Sequence, residues 1–278
     1  MRNADQETIE GFGDEWSRFD QAGLSPAERH EIFEQYFSLF PWDEIGRDSV
    51  GFDAGCGSGR WAALVAPRVK KLHCVDASAA ALEVARKNLT AFDNVELTCA
   101  SVQEMPFPDG SMDFGYSLGV LHYVPDTAAA LEACVRKLKP GAPMLVYLYY
   151  AFDNRPRWFR EVWRASDAMR KVISRLPYAA RYATSQVLAA SVYWPLARTA
   201  RVLDRLGVPV DQLPLSAYRD RSFYVMRTDA LDRFGTRLER RFTRVEIEQM
   251  MRAAGLERIR FREGTPFWCA VGRRAAVR

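Results

Sequence analysis

Histidine is scarce in this chain, with three in 278 residues, and cysteine is sparse, with five. Neither type is spaced as a metal site. His30, His73 and His122 lie far apart, and Cys56, Cys74, Cys99, Cys134 and Cys269 contain no C-x-x-C pair. Scattered cysteines beside apolar runs read as small core residues in a reducing compartment, not as a disulfide frame. A long apolar segment is missing too. From Tyr182 to Ala197 no residue is charged, but Thr184, Ser185, Gln186, Ser191 and Pro195 interrupt a run that is short for a bilayer span. No transmembrane helix is expected there; burial is the default, and an interfacial or oligomer-forming helix is the sharper option. The polar start Met1-Arg-Asn-Ala-Asp-Gln-Glu has no apolar core, so a leader is not expected there and a cytoplasmic location is. Internal repeats and low-complexity tracts are absent.

Lysine is nearly missing from one segment that is rich in arginine. Residues 151–245 hold 18 Arg and 1 Lys against 9 Asp plus Glu, a surplus of ten positive charges, so with +4 overall the remainder carries −6. A basic segment on an acidic body fits an anionic partner: a phosphorylated or carboxylated substrate, a carrier protein or a lipid surface. Nucleic acid fits less well, because the arginines are mixed with aromatics that read as buried.

What is present is a regular alternation. Residues 1–48 read as amphipathic helix, with Phe12, Trp16 and Phe19 and later Ile32, Phe33, Tyr36, Phe37 and Phe40 at helical or near-helical spacing. Ser25-Pro26-Ala-Glu28 reads as a capped helix start. Strands are expected at residues 50–54, 71–75, 95–99, 112–117 and 143–149, with helices at 60–66, 78–88 and 127–138 between them. Such alternation predicts an α/β fold with a doubly wound, mostly parallel sheet. Residues 150–242 break the rhythm. A helix is expected at 157–176, with Trp158, Phe159, Val162, Trp163, Met169, Val172 and Ile173 on its apolar side, and a second at 178–206 divided by Pro195. Residues 219–227 read as strand or loop. Thr243-Arg-Val-Glu246 is a capping box, Gly255 a helix stop, and residues 256–261 and 266–271 two closing strands. The division expected is a helical lid at 1–48, a nucleoside-binding core at 49–149, a helical insertion at 150–242, and the last helix and closing strands at 243–278.

The chemistry centres on Val50-Gly-Phe-Asp-Ala-Gly-Cys-Gly-Ser-Gly-Arg-Trp61. It reads as a strand, a glycine-dense turn and a helix start whose free N–H groups point at a ligand. Asp76 ends the second strand 21 residues after Gly55, where a carboxylate accepts both ribose hydroxyls of a nucleoside. A dinucleotide fingerprint wants a small residue at the sixth position from Gly55, and Arg60 stands there. The G-x-G-x-G spacing suits an amino-acid-plus-nucleoside ligand without a pyrophosphate.

With these motifs the chain resembles the class I S-adenosylmethionine-dependent methyltransferases, in particular the small-molecule branch that includes the quinone-biosynthesis enzymes. The motifs are Phe52-Asp-Ala-Gly-Cys-Gly-Ser-Gly59, Val75-Asp-Ala77, Met105-Pro-Phe-Pro-Asp-Gly-Ser-Met-Asp113, Gly119-Val-Leu-His122 and Leu138-Lys-Pro-Gly141, in that family's order. The resemblance implies a seven-stranded sheet with the last strand antiparallel. It implies S-adenosyl-L-methionine over Asp53, Gly55, Cys56, Gly57 and Gly59, with Asp76 and Ala77 at the ribose, Ser101 and Val102 at the adenine, and Leu118 facing the cofactor. Ser101 stands where the family often has a carboxylate. Trp16 is expected to close over the sulfonium. His122 and Tyr149 are the candidate catalytic groups, although methyl transfer needs alignment more than a base. Arg219, Arg221 and Tyr224 are expected to bind an anionic or hydroxylated acceptor, against the plain alternative of ion pairs with nearby aspartates.

The expected function is methyl transfer to a small-molecule, glycan or lipid-linked acceptor. An inactive cofactor-binding partner subunit and an NAD-type oxidoreductase are the alternatives. Peripheral membrane contact and oligomer formation through the insertion are further expectations.

Overall fold

Five short runs, two of them closed by Gly55 and Gly119, form the parallel part of one sheet. The computed structural model describes residues 3–21 and 23–276; Met1 and Arg2, at the head of the polar N-terminal stretch, lie outside them. The helices α1 (Gln6–Arg18) and α2 (Pro26–Phe37) come first. They are followed by β1 (Val50–Ala54), the short α3 (Ala62–Val65), β2 (Lys71–Asp76), α4 (Ala79–Asn88) and β3 (Val95–Cys99). Next are β4 (Phe114–Leu118), α5 (Thr127–Lys137) and β5 (Pro143–Tyr147). Then come α6 (Arg157–Ile173), α7 (Tyr178–Leu188), α8 (Trp194–Arg205), α9 (Phe223–Gly235) and α10 (Arg244–Ala253), and finally β6 (Leu256–Phe261) and β7 (Ala270–Arg274).

The seven strands run in the order β3-β2-β1-β4-β5-β7-β6. The first five are mutually parallel, and β7 is antiparallel to both β5 and β6. The order reverses between β1 and β4, so the open crevice of the sheet lies at the carboxyl ends of these two strands. Strand side chains alternate between faces. Met144 and Val146 of β5 join one apolar cluster, and Leu145 between them joins the other. Glycine makes room where β1 meets β4. Gly51 pairs with Phe114 and Phe52 with Gly115. A Cβ on Gly51 would lie 2.3 Å from the Phe114 ring, and one on Gly115 2.3 Å from the Phe52 ring.

The chain divides into two compact units. One comprises residues 1–21, 29–151 and 238–278 and holds the sheet; the other comprises residues 22–28 and 152–237 and is helical. The second has its own small core, in which Ile173 of α6, Met226, Ala230 and Phe234 of α9, and Ala189, Tyr193 and Ala197 pack together. Between α7 and α8 one π turn, Ala189–Tyr193, precedes Pro195, whose ring nitrogen cannot donate the bond a continuous helix needs there.

Several sequence expectations are corrected. Residues 223–227 belong to α9, not to a strand or loop: the Ser222 hydroxyl accepts from the Val225 N–H, and Ala230 and Phe234, which continue the buried spacing begun at Met226, lie beyond that stretch. The last strand starts at Ala270 rather than 266, because residues 263–268 form bends and a turn. The 60–66 helix shortens to α3 and a 3-10 turn containing Pro67. In α6 only Ile173 of the expected apolar side is buried, along with the charged Asp167 and Arg170. Among the described residues no helix is long and apolar enough to cross a membrane.

The interlocked glycines and phenyl rings predict a specific coupling. Gly115→Ala should cost about 1–3 kcal/mol by overpacking against Phe52. Adding Phe52→Leu to Gly115→Ala should recover part of that loss, read as non-additivity in a urea-unfolding double-mutant cycle.

Candidate functional site

The site is built at the carboxyl ends of β1, β2 and β4. β1 ends in Asp53-Ala54, and the chain turns through Gly55, Gly57 and Gly59, all at positive φ (85°, 52° and 76°), where an L side chain is strained. The turn is held by Val75, whose carbonyl accepts from the N–H groups of Gly55 (2.7 Å) and Cys56 (3.1 Å). The Asp76 carboxylate then closes it: Oδ2 accepts from the Gly57 N–H at 2.8 Å and Oδ1 from the Ser78 N–H at 2.8 Å. One side chain thus fixes both the glycine turn and the start of α4. Within the turn the buried Ser58 hydroxyl has no hydrogen-bond partner among the described residues.

Asp53 is buried and forms no ion pair among the described residues. Burial pushes its carboxyl up to about 8; the Tyr116 hydroxyl pulls it down, Asp76 pushes it up, and Arg60 pulls it down. Burial also raises Asp76, opposed by the backbone N–H groups that bond it. A buried and a half-buried acid, neighbours with raised pKa values, make a site suited to a cation and to hydroxyl donors.

The N-terminal helix α1 lies against this turn. Gly13 allows a close crossing: a Cβ there would lie 2.8 Å from the Ser78 hydroxyl. Trp16, on the same helix, lies over Gly57, whose added Cβ would be 2.9 Å from the indole Nε1. The Arg60 guanidinium sits 4.4 Å from the Trp61 ring centroid and 5.5 Å from that of Trp16. Asn88 of α4 donates to the Ser58 carbonyl and to the Asp20 carbonyl, both at 2.9 Å, tying the end of the N-terminal segment to the turn. Cys56 is buried beside Cys74, and this pairing and burial raise its thiol pKa. Ala77 follows Asp76. Ser101 is buried and donates its hydroxyl to Glu104 at 3.1 Å, which leaves its oxygen free to accept; Val102 is half-buried beside it. Leu118 is buried at the end of β4, followed by Gly119 at φ 77° with open space where a Cβ would stand.

His122 is fully buried after β4. Its Nδ1 accepts a long, 3.4 Å bond from the Tyr149 N–H, and its ring stacks on Tyr149 with centroids 3.9 Å apart. Nε2 has no hydrogen-bond partner among the described residues. Burial, with the charge of Arg241, holds its pKa well below the usual histidine range. The imidazole is therefore neutral, and with Nδ1 accepting, its proton sits on Nε2. In this arrangement His122 is a hydrogen-bond donor.

The structure adds a cation that sequence reasoning missed. Residues 240–242 run beside 149–151: Tyr150 and Phe242 form a parallel bridge, Phe242 N–H donates to the Tyr149 carbonyl (2.9 Å), and Ala151 N–H donates to the Phe242 carbonyl (2.8 Å). This places the Arg241 guanidinium 4.8 Å from the Tyr149 ring centroid. It pairs with Glu239 at 2.8 Å, both side chains nearly buried. Burial alone would lower the pKa of Arg241, but Glu239 and Tyr149 more than offset it. No local sequence pattern marks Arg241, because its place depends on this pairing of residues 149–151 with 240–242.

Arg219, Arg221 and Tyr224 all belong to the helical unit. Arg219 pairs with Asp204 (3.1 Å) and Asp220 (3.7 Å) and donates to the Ser216 carbonyl. The Arg221 carbonyl accepts from Arg198 at 2.9 Å. Tyr224 packs on Gly23, where a Cβ would lie 2.4 Å from its ring. Among the described residues no cluster of His, Cys, Asp and Glu could hold a metal ion.

A doubly wound sheet with a glycine turn closed by the carboxylate of its second strand is a Rossmann-like nucleoside-binding fold. Residues 52–146 match the protein family described as methyltransferase domain. The chain is 29% identical over 125 residues to malonyl-[acyl-carrier protein] O-methyltransferase of Serratia marcescens, a match covering 45% of this chain and 47% of that protein. It is 34% identical over 119 residues to demethylmenaquinone methyltransferase of Listeria monocytogenes, covering 41% and 49%. The chain therefore spans about half the length of the curated relatives it matches. A solved S-adenosylmethionine-dependent methyltransferase from Aquifex aeolicus shares the fold with a TM-score of 0.50 at 13% identity, covering 94% of this chain and 96% of that one. Within the sheet unit, residues 52–146 thus carry the likeness to a methyltransferase domain, on a fold shared with a solved S-adenosylmethionine-dependent methyltransferase.

Asp53 predicts a pH dependence. Its carboxyl stays protonated in the folded protein up to about pH 8, whereas the unfolded carboxyl ionises near pH 4. The folded state binds the extra proton, so stability falls as pH rises from about 4 to about 8 and levels off above. Asp53→Asn should flatten that decline, measured by urea unfolding of the ligand-free protein at pH 5 to 8.

Proposed function

We propose that this chain transfers a methyl group from S-adenosyl-L-methionine to a small-molecule acceptor, including one carried on a lipid or glycan. The observation that supports this best is the Asp53–Asp76 pair around a glycine turn with an unpartnered Ser58 hydroxyl. Such a cradle fits a ligand bearing an ammonium, a carboxylate and ribose hydroxyls.

In this reading Gly55, Cys56, Gly57 and Gly59 offer bare backbone to the amino-acid end, with Asp53 facing its ammonium. Asp76 keeps its two backbone bonds and uses its remaining lone pairs for the ribose, beside Ala77. Ser101 accepts from the adenine amino group, and Val102 and Leu118 pack on the nucleoside. Trp16 covers the turn and favours a positive sulfur by the charge distribution of its ring. When bound, the cofactor supplies a methyl group already activated by a sulfonium. The protein's work is then to align the acceptor and exclude water.

On the acceptor side we assign His122 and Tyr149, with His122 donating from Nε2, and we add Arg241. The buried Arg241–Glu239 pair beside Tyr149 lies past the carboxyl end of β5, next to the ligand crevice of an open sheet. A guanidinium there suits an acceptor with an anionic or enolic oxygen. By their names, relatives act on malonyl-[acyl-carrier protein], as an O-methyltransferase, and on demethylmenaquinone, which supports a small or carrier-linked acceptor. Within the helical unit by itself, Arg221 and Tyr224 are proposed for an anionic or hydroxylated ligand group; the charge of Arg219 is already shared with two aspartates.

Calorimetry tests the cofactor assignment. S-adenosylhomocysteine should bind and NADH should not, and Asp76→Ala should weaken S-adenosylhomocysteine by about a hundredfold, the loss of roughly 3 kcal/mol of charge-assisted hydrogen bonding. Unchanged affinity in Asp76→Ala would refute the pose. For the acceptor side, Arg241→Gln should bind S-adenosylhomocysteine normally yet transfer much less radiolabelled methyl from S-adenosylmethionine into a metabolite extract. No transfer by the unaltered chain would favour a cofactor-binding partner subunit instead.

A further inference from the structure

Helix α6 is built inside out. The side chains it buries are Asp167, Arg170 and Ile173. Arg170 donates to Asp167 at 2.7 Å and to the carbonyls of Thr236 (2.9 Å) and Arg237 (3.1 Å), and Arg233 approaches Asp167 at 3.8 Å. This charged clamp fixes which face of α6 turns inward. The face left outside carries Trp158, Val162, Ala165, Met169 and Val172, spaced 4-3-4-3, a single straight stripe along the helix. Their exposure is 49%, 51%, 44% and 65% for the tryptophan, first valine, methionine and last valine. Large apolar side chains in one exposed row are rare on a soluble surface and mark an interaction site.

The charge pattern says what kind of site. At 100° per residue, Arg157, Arg164 and Lys171 fall along one border of the stripe, and Arg175 follows in the turn just past the end of the helix. All four are exposed. Two of the four meet carboxylates, Arg164 the exposed Glu161 at 2.6 Å and Lys171 the inward-facing Asp167 at 3.1 Å, so Glu161 is the exposed carboxylate on that border. A tryptophan at one end, an apolar row and a cationic border are the pattern of a helix lying in the plane of a membrane surface. We propose that α6 docks the helical unit onto an anionic phospholipid bilayer, with Trp158, Val162, Met169 and Val172 entering the headgroup boundary and the cations meeting lipid phosphates. The helix binds in the interface and does not span, consistent with the absence of a membrane-crossing helix among the described residues. A second copy of the chain is the competing occupant; a self-complementary helix pair would need carboxylates opposite these four cations, and the border offers one.

Vesicle binding requires neither cofactor nor acceptor, so it stands or falls apart from the methyl-transfer reading. The full chain is sedimented with vesicles of phosphatidylcholine alone and of equal parts phosphatidylcholine and phosphatidylglycerol. Binding to the anionic vesicles should be at least tenfold tighter, and should weaken as salt rises. Val162→Asp/Val172→Asp should lower it at least tenfold with an unchanged circular dichroism spectrum, and the milder Val162→Ser/Val172→Ser should lower it less. Arg157→Glu/Arg175→Glu should abolish the preference for phosphatidylglycerol. Absence of binding to either vesicle, or binding untouched by the valine pairs, overturns the proposal. So does a lipid-free dimer in sedimentation velocity that the valine pairs convert to monomer, which would place a second copy on the stripe.

Discussion

The two hydrogen bonds accepted by Asp76 organise the site. One oxygen holds the Gly57 N–H and the other the Ser78 N–H, each at 2.8 Å. The first bond belongs to the turn after β1, the second to the start of α4 after β2. A single carboxylate therefore sets the relation between two crossover segments of the sheet. The glycines supply the freedom for the turn, but Asp76 selects one geometry from that freedom. Trp16 can rest on Gly57 because that N–H is turned toward Asp76 and no side chain fills the other side.

This arrangement carries an electrostatic cost. Asp53 is buried and Asp76 half-buried, and both hold their protons more tightly than a carboxylate in water. Asp76 offsets part of the cost through backbone N–H groups; Asp53 has the Tyr116 hydroxyl and the partial influence of Arg60. A bound cation would lower the Asp53 pKa and let the pair hold its charge, so cation binding and proton release are linked at this site. The cost also explains why the acids lie at strand ends: a carboxylate within the fully covered sheet would have no donor at all.

The alternation of strands and helices was legible in the sequence because short strand-forming runs alternate with capped helices such as α4, α5 and α10. Ser78 and Thr243 cap their helices as read, and β1 and β3 keep the limits read for them. The glycine turn and Asp76 were legible for the same local reason: they are contiguous motifs. Arg241 was not, since its place depends on the pairing of residues 149–151 with 240–242, some 90 residues away. Arg219 read as a ligand group because arginine near aromatics looks alike whether it meets a substrate or Asp204. Neither distinction exists in periodicity or composition.

Helix α6 shows the limit most sharply. A hydrophobic stripe of period 3.6 says that a helix has two faces; it does not say which one the protein covers. Here the inward face is chosen by Asp167, whose carboxylate meets Arg170, Lys171 and Arg233 and is held below its usual pKa range despite burial. A charged cluster of that kind is a poor source of net stability but a strong source of orientation, because any rotation of α6 would strand a buried charge. The apolar row is thus left outside by a constraint stronger than its own hydrophobicity. Burying it against the small core of the helical unit would break the clamp, so relief of its exposure has to come from outside the unit.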